Sequence, residues 1–216
     1  MKDIKIVSSS TFEENEKELA KEYWSGINFS NYKLERPWSK FIATKVLEYA
    51  PKKVLEFGCN AGKNLIAIKN SDADVDVFGV DINCEAIKYA KEECHLNVAC
   101  LDESIFSIIP DNTYDVVYTV SVLDHVPYPD KILSQLLRIS KKGVLLLEPW
   151  IGEEGKVVKN LNIRTNTVID TTPYSYSWDY KKLIKPHLES WKLEIEEYKL
   201  DSNLGRFYYL YQISAK

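Results

Sequence analysis

A chain of 216 residues with 45% hydrophobic and 12% aromatic content can bury one well-packed domain with an extra element or two, and it is too short for two full enzymatic domains. Its 28 basic and 32 acidic residues leave a formal net charge of -4, which gives no general attraction to phosphate backbones and disfavours nucleic acid as the main partner. The charged start MKDIKIVSSSTFEENEKEL has no apolar segment, and no run of about 18 apolar residues follows, so a cytoplasmic protein with no membrane partner is expected.

From Thr11 to Tyr23, TFEENEKELAKEY reads as a polar helix with Phe12, Leu19 and Tyr23 on one apolar stripe. WSGINFSNYKLERPW interrupts the pattern, and a second helix from Ser39 to Ala50 is stopped by Pro51. Residues 1–50 therefore form a helical cap. Beyond it, strand-like runs at 53–57, 76–80, 97–101, 114–120 and 143–149 alternate with helical stretches Lys63–Asn70, Cys84–Glu93 and Asp130–Ser140. Apolar runs without strict alternation suit strands covered on both faces, hence a parallel sheet in an open α/β fold. After the fifth strand, EPWIGEEGKVVKNLNIRTNTVIDTTPYSYSWDY is long for a connection and reads as a lid-like insertion near 150–176. SWDYKKLIKPHL is a helix disturbed near Pro186, and WKLEIEEYKL with RFYYLYQISA forms an antiparallel strand pair.

The four cysteines, Cys59, Cys84, Cys94 and Cys100, show no C-x-x-C pair and no histidine at zinc spacing, so buried free thiols are expected, with neither disulfides nor a metal site.

The segment VLEFGCNAGKNL (54–65) carries the chemistry. A dinucleotide loop needs G-x-G-x-x-G; here Gly58, Asn60 and Gly62 give G-x-N-x-G, and Glu56 places a carboxylate where a pyrophosphate would be repelled. A cationic ligand is welcome there instead. Asparagine is the non-glycine residue that best tolerates the left-handed backbone the middle position requires.

With its acid, E-F-G-C-N-A-G resembles the first motif of class I S-adenosylmethionine-dependent methyltransferases, and the resemblance extends over about residues 50–150. It implies a Rossmann-like, seven-stranded mixed sheet, parallel except for a C-terminal antiparallel strand, with helices on both faces, over residues 51–216. It also implies S-adenosyl-L-methionine as cofactor and S-adenosyl-L-homocysteine as product. Glu56, Gly58, Asn60 and Gly62 would border the amino-acid end; Asp81, with Ile82 beside it, would accept from the ribose hydroxyls. Asp102 or Glu103, in CLDES, would meet the adenine amino group, and Val120 ends the fourth strand at the same rim. YDVVYTVSVLDHVPYPDKILSQLLRISKKGVLLLEP matches the family's fourth strand, loop, helix and fifth strand.

A transferred methyl needs an aligned nucleophile, and an alcohol or ammonium must also lose a proton. His125, in LDHVP, is the candidate base; packing against backbone groups is its alternative role. Tyr23, Trp24, Arg36 and Trp38 from the cap, and Trp150, Arg164, Tyr174, Tyr176 and Trp178 from the long connection, are candidates for the acceptor pocket. The reading is a methyltransferase acting on an oxygen or nitrogen of a small molecule, as monomer or homodimer. Its alternatives are a protein or tRNA methyltransferase, an aminopropyl transferase, and a silent cofactor-binding module.

Overall fold

The computed structural model describes residues 5–8, 12–162, 167–170, 173–199 and 207–216, excepting the side chains of 159–162 and 167–170. Strand β1 (Lys5–Val7) precedes two cap helices, α1 (Glu16–Ser25) and α2 (Pro37–Leu47). Then come β2 (Lys53–Phe57), α3 (Lys63–Ser71), β3 (Asp76–Asp81), α4 (Cys84–Glu92), β4 (Val98–Cys100), β5 (Tyr114–Val120), α5 (Asp130–Ile139) and β6 (Ser140–Pro149). The remainder is β7 (Gly155–Asn162), β8 (Thr167–Asp170), β9 (Tyr176–Ser177), α6 (Tyr180–Ile184), β10 (Trp191–Glu197) and β11 (Tyr208–Ala215).

Seven strands form the main sheet in the order β10-β11-β6-β5-β2-β3-β4. The β2, β3, β4, β5 and β6 neighbours pair in parallel, and β11 pairs antiparallel with both β6 and β10. This is the sheet expected from the sequence, and its apolar runs have the expected cause. Successive residues of each central strand enter opposite cores: Val54, Val116, Leu145 and Leu210 pack with α2, α3 and α4, whereas Leu55, Val117, Leu146 and Tyr211 pack with α5 and α6. On α5, Ile132, Leu133, Leu136 and Leu137 are buried, the i, i+1, i+4, i+5 stripe that sets a helix on a sheet. The order turns back between β2 and β5, so a crevice opens outside their carboxyl ends.

The long connection is a second, smaller sheet. β7 pairs antiparallel with β1, β8 and β9, so the amino-terminal strand belongs to the insertion. Helix α1 also differs from its expected form. It begins at Glu16, and its buried residues are Glu16 and Ala20; Phe12 lies ahead of it, packed edge-on against Tyr176 and Trp178. Glu16 accepts hydrogen bonds from Lys156 Nζ at 2.5 Å and Tyr176 Oη at 2.8 Å, so a polar bond, not an apolar stripe, fastens α1 to the second sheet. Helix α2 starts two residues earlier than its sequence pattern implied, because Pro37 takes the first helical turn, and it ends three residues earlier, at Leu47.

The expectation of four free thiols is corrected at two positions: Cys84 and Cys100 form a disulfide with their Cα atoms 5.0 Å apart. The crossover from β3 through α4 to β4 brings the start of the helix beside the end of the next strand, inside the distance a disulfide spans. Cys59 and Cys94 are free. Among the described residues, no group of three or more metal-ligating side chains occurs, and no helix is long and apolar enough to cross a membrane.

Candidate functional site

The crevice holds a cavity of about 520 Å³, within the range usual for cofactor and ligand pockets. Its floor is the loop after β2. Gly58 has φ +80°, and a Cβ there would lie 2.3 Å from a Val122 methyl; Gly62, also at φ +80°, caps α3 in the left-handed region. Asn60 adopts φ 45°, the conformation its substitution for glycine required, and its Oδ1 accepts from the Ala61 backbone at 2.9 Å.

Asp81, Ile82, Gly58, Asn60, Glu103 and Val120 all line the cavity, as do Trp24, Arg36, Trp38 and His125. Asp81 is held rigidly. Its two oxygens accept from the backbone N–H groups of Asn60 and Asn83, each at 2.8 Å. Burial pushes its carboxyl up, and these donors oppose the shift.

The remaining expected residues stand elsewhere. Glu56 is buried behind the loop, accepting from Asn64 Nδ2 at 2.6 Å and Tyr118 Oη at 3.0 Å; burial raises it to about 7, against both bonds. It ties the start of α3 to β5. Asp102 lies outside the cavity, 2.5 Å from Lys21 Nζ, and that ammonium holds its carboxyl well below the usual range. Glu103 is the member of that pair on the wall, 2.6 Å from Lys17. Gly62 is also set back. Tyr23 supports Trp24 edge-on, with ring centroids 5.2 Å apart. Trp150 and Tyr176 are not on the cavity wall, and Tyr176 is committed to Glu16. Arg164 lies outside the described residues.

His125 reaches the cavity, but in a restrained form. Its Nδ1 is 3.3 Å from the Tyr174 carbonyl; a carbonyl only accepts, so Nδ1 carries the hydrogen. Trp24 lies against the imidazole with centroids 3.8 Å apart. Burial lowers the ring to about 4, outweighing Glu148 and the Tyr174 bond. It is neutral at pH 7 and has little driving force to take a proton.

Residues the sequence did not single out complete the wall. Lys63, the first residue of α3, faces the cavity with Arg36, and its ammonium sits 5.0 Å from the Tyr32 ring and 4.8 Å from the Trp38 ring. Burial lowers it to about 8, with Glu56 opposing and Arg36 assisting. From α1 come Lys17, Ala20, Lys21 and Trp24. Their spacing of i, i+3, i+4 and i+7 marks one helix face, a signal hidden from a search for apolar residues alone.

The cavity thus offers a rigid carboxylate, two cations of which Lys63 sits over aromatic rings, and the rings of Trp24 and His125. That donor set suits a zwitterionic amino-acid nucleoside: Asp81 for vicinal ribose hydroxyls, and Arg36 with Lys63 for an amino-acid carboxylate.

Comparison with known proteins bears on the family and the fold. Residues 30–157 match a family described as "Methyltransferase domain". A ubiquinone biosynthesis O-methyltransferase from Klebsiella pneumoniae (strain 342) is 30% identical over 146 residues, 65% of this chain and 59% of the relative; one from Thiobacillus denitrificans is 25% identical over 142 residues, 63% and 60% respectively. The chain therefore spans about three-fifths of the length of these relatives. Among solved structures, the plantazolicin methyltransferase BpumL in complex with SAH has a TM-score of 0.65 at 18% identity, covering 94% of this chain and 96% of its own. A SAM-dependent methyltransferase from Archaeoglobus fulgidus has a TM-score of 0.63 at 19% identity, covering 87% and 97%. At these identities the structural likeness bears on the fold.

Proposed function

The chain belongs to the methyltransferase-domain family, and from that premise we propose that it transfers a methyl group from S-adenosylmethionine to an oxygen or nitrogen of a small, flat acceptor. The observation that carries the reading is Asp81, fixed by two backbone donors on the wall of a cavity that Arg36 and Lys63 also line.

When bound, the cofactor supplies an electrophilic methyl on a sulfonium, a good leaving group, and the protein's task is alignment and exclusion of water. Asp81 accepts from the ribose hydroxyls, and Arg36 with Lys63 holds the carboxylate. Glu103, together with Leu101 on the same wall, borders the base. Trp24, backed by Tyr23 and stacked on His125, makes a flat hydrophobic face for the acceptor. His125 acts as a positioning residue, since its Nδ1 is spent on Tyr174 and its ring is neutral. A cavity of about 520 Å³ leaves room for a metabolite-sized acceptor beside the nucleoside.

Calorimetry with S-adenosylmethionine and S-adenosylhomocysteine tests the site, and labelled cofactor with a metabolite extract tests turnover. Binding of both with label passing to a small product is expected. Binding without label transfer identifies a silent module, and no binding to either ends the reading.

A further inference from the structure

Beside the cavity, at the end of β5, lies a buried acid pair that the reading above leaves unused. Glu148, on β6, accepts from Thr119 Oγ1 at 2.7 Å and from the backbone N–H groups of Val122, Leu123 and Asp124 at 3.1 to 3.3 Å. Asp124 is buried against it, and its two oxygens lie 3.2 and 3.3 Å from Ser121 Oγ. Ser121 lines the cavity. Its backbone is in the left-handed region at φ 53°, a conformation uncommon for serine. The same Oγ is 2.8 Å from Tyr208 Oη. One hydroxyl therefore connects the cavity to the buried Asp124 carboxylate.

We propose that Ser121 and Asp124 carry the acceptor's proton out of the cavity: the acceptor hydroxyl or amine gives its proton to Ser121 Oγ as the Ser121 proton passes to an Asp124 oxygen. The acceptor's new bond to carbon forms from the electron pair on its oxygen or nitrogen, and the old carbon–sulfur bond breaks with its pair left on sulfur. The proton ends on the carboxylate, so no oxidant or further reactant is needed. Ser121 touches the acceptor; Asp124 acts through it. This deepens the proposed methyl transfer and rests on it.

The surroundings support a proton exchange near neutral pH. Facing the two acids are Tyr208 and Tyr211 from β11, Tyr180 from α6, Tyr32 from the cap, and His125, whose Nε2 is 3.7 Å from Asp124. The tyrosines are raised by burial and stay protonated. Burial raises Asp124 to about 7; burial and the Asp124 charge raise Glu148 to about 8. The pair shares a proton at pH 7 and has room for another.

The first test needs no acceptor. Infrared difference spectra of the S-adenosylhomocysteine complex between pH 5 and 9 should show a carboxylic C=O band that titrates, disappears in Asp124→Asn, and shifts in Ser121→Gly. Glycine removes the hydroxyl and suits the left-handed backbone, so this variant folds without strain. In single turnover with catechol as probe, both variants should be slowed about 10²-fold at pH 7, and the deficit should narrow toward pH 10, where the phenol ionises unaided. His125→Gln should keep the wild-type pH profile. Cofactor affinity retained within a few-fold in both variants separates this proposal from the cofactor reading, which fails only if the wild type does not bind. Absence of a titrating band, a band indifferent to Ser121→Gly, or a rate loss equal at every pH overturns the relay, and the infrared result decides whether or not catechol is turned over.

Discussion

Asp81 illustrates how one carboxylate orders the backbone around the cavity that it lines. It ties the loop after β2 to the start of α4 through Asn60 and Asn83, and in the proposed complex it also accepts from the ribose. Asp81→Ala should weaken S-adenosylhomocysteine binding by about 1.5–3 kcal/mol, the scale of charge-assisted hydrogen bonds lost from a buried site. An unchanged dissociation constant by calorimetry would remove Asp81 from the site.

The buried acids also set the pH dependence of stability. Glu56 and Asp124 are raised to about 7 and Glu148 to about 8, so the folded protein keeps protons that the unfolded chain has already released. Stability must then fall as pH rises through the folded values. His125, lowered to about 4, works the other way, but its contribution is complete by about pH 6.5. Lys63, lowered to about 8, favours the folded state only above that pH. Between about pH 6.5 and 8 the carboxyls dominate, and urea unfolding midpoints should decline. Asp124→Asn should flatten the decline; a midpoint that climbs over this interval would contradict the assignment.

At the scale of elements, α1 is held by polar bonds on two sides: Glu16 to the second sheet, and Lys17 and Lys21 to the turn after β4. Glu16→Ala leaves Lys156 and the Tyr176 hydroxyl without their acceptor. Removing one partner of a fully buried pair costs about 3–5 kcal/mol. Lys156 keeps 27% of its side chain exposed, so a loss of about 2–3 kcal/mol is expected in urea unfolding, and a loss under 0.5 kcal/mol would show that the tie carries no load. These bonds also explain what the sequence could and could not reveal. The parallel strands and their helices were legible because burial on both faces writes itself as continuous apolar runs, and the loop after β2 was legible because its backbone needs glycine or asparagine. The second sheet was not: β1 and β7 are about 150 positions apart, and nothing local to either announces the pairing. The site followed the same division. Asp81, Glu103 and the loop glycine Gly58 came from a local pattern, whereas Lys63 and Ser121 acquire their positions from how α3 begins and β5 ends. Glu56 and Asp102 carry the right chemistry in sequence, yet Asn64 with Tyr118 in one case and Lys21 in the other turn them to structural work.

Across the whole molecule, the Cys84–Cys100 bridge joins the two segments that frame Asp81 and Leu101, at the outer edge of the main sheet. It closes a short ring of chain around α4, its ends 16 positions apart in sequence, and such a ring removes about 3 kcal/mol of freedom from the unfolded state. Dithiothreitol, or Cys84→Ser, should lower the thermal midpoint by roughly 6–12 °C, given about 2–4 °C per kcal/mol for a chain of this size. A midpoint indifferent to reductant would mean the two sulfurs are not joined in solution. If the shift occurs, the thiol balance of the surroundings becomes a hidden variable in every stability measured on this protein: two laboratories using the same buffer with and without a reducing agent would be melting covalently different molecules.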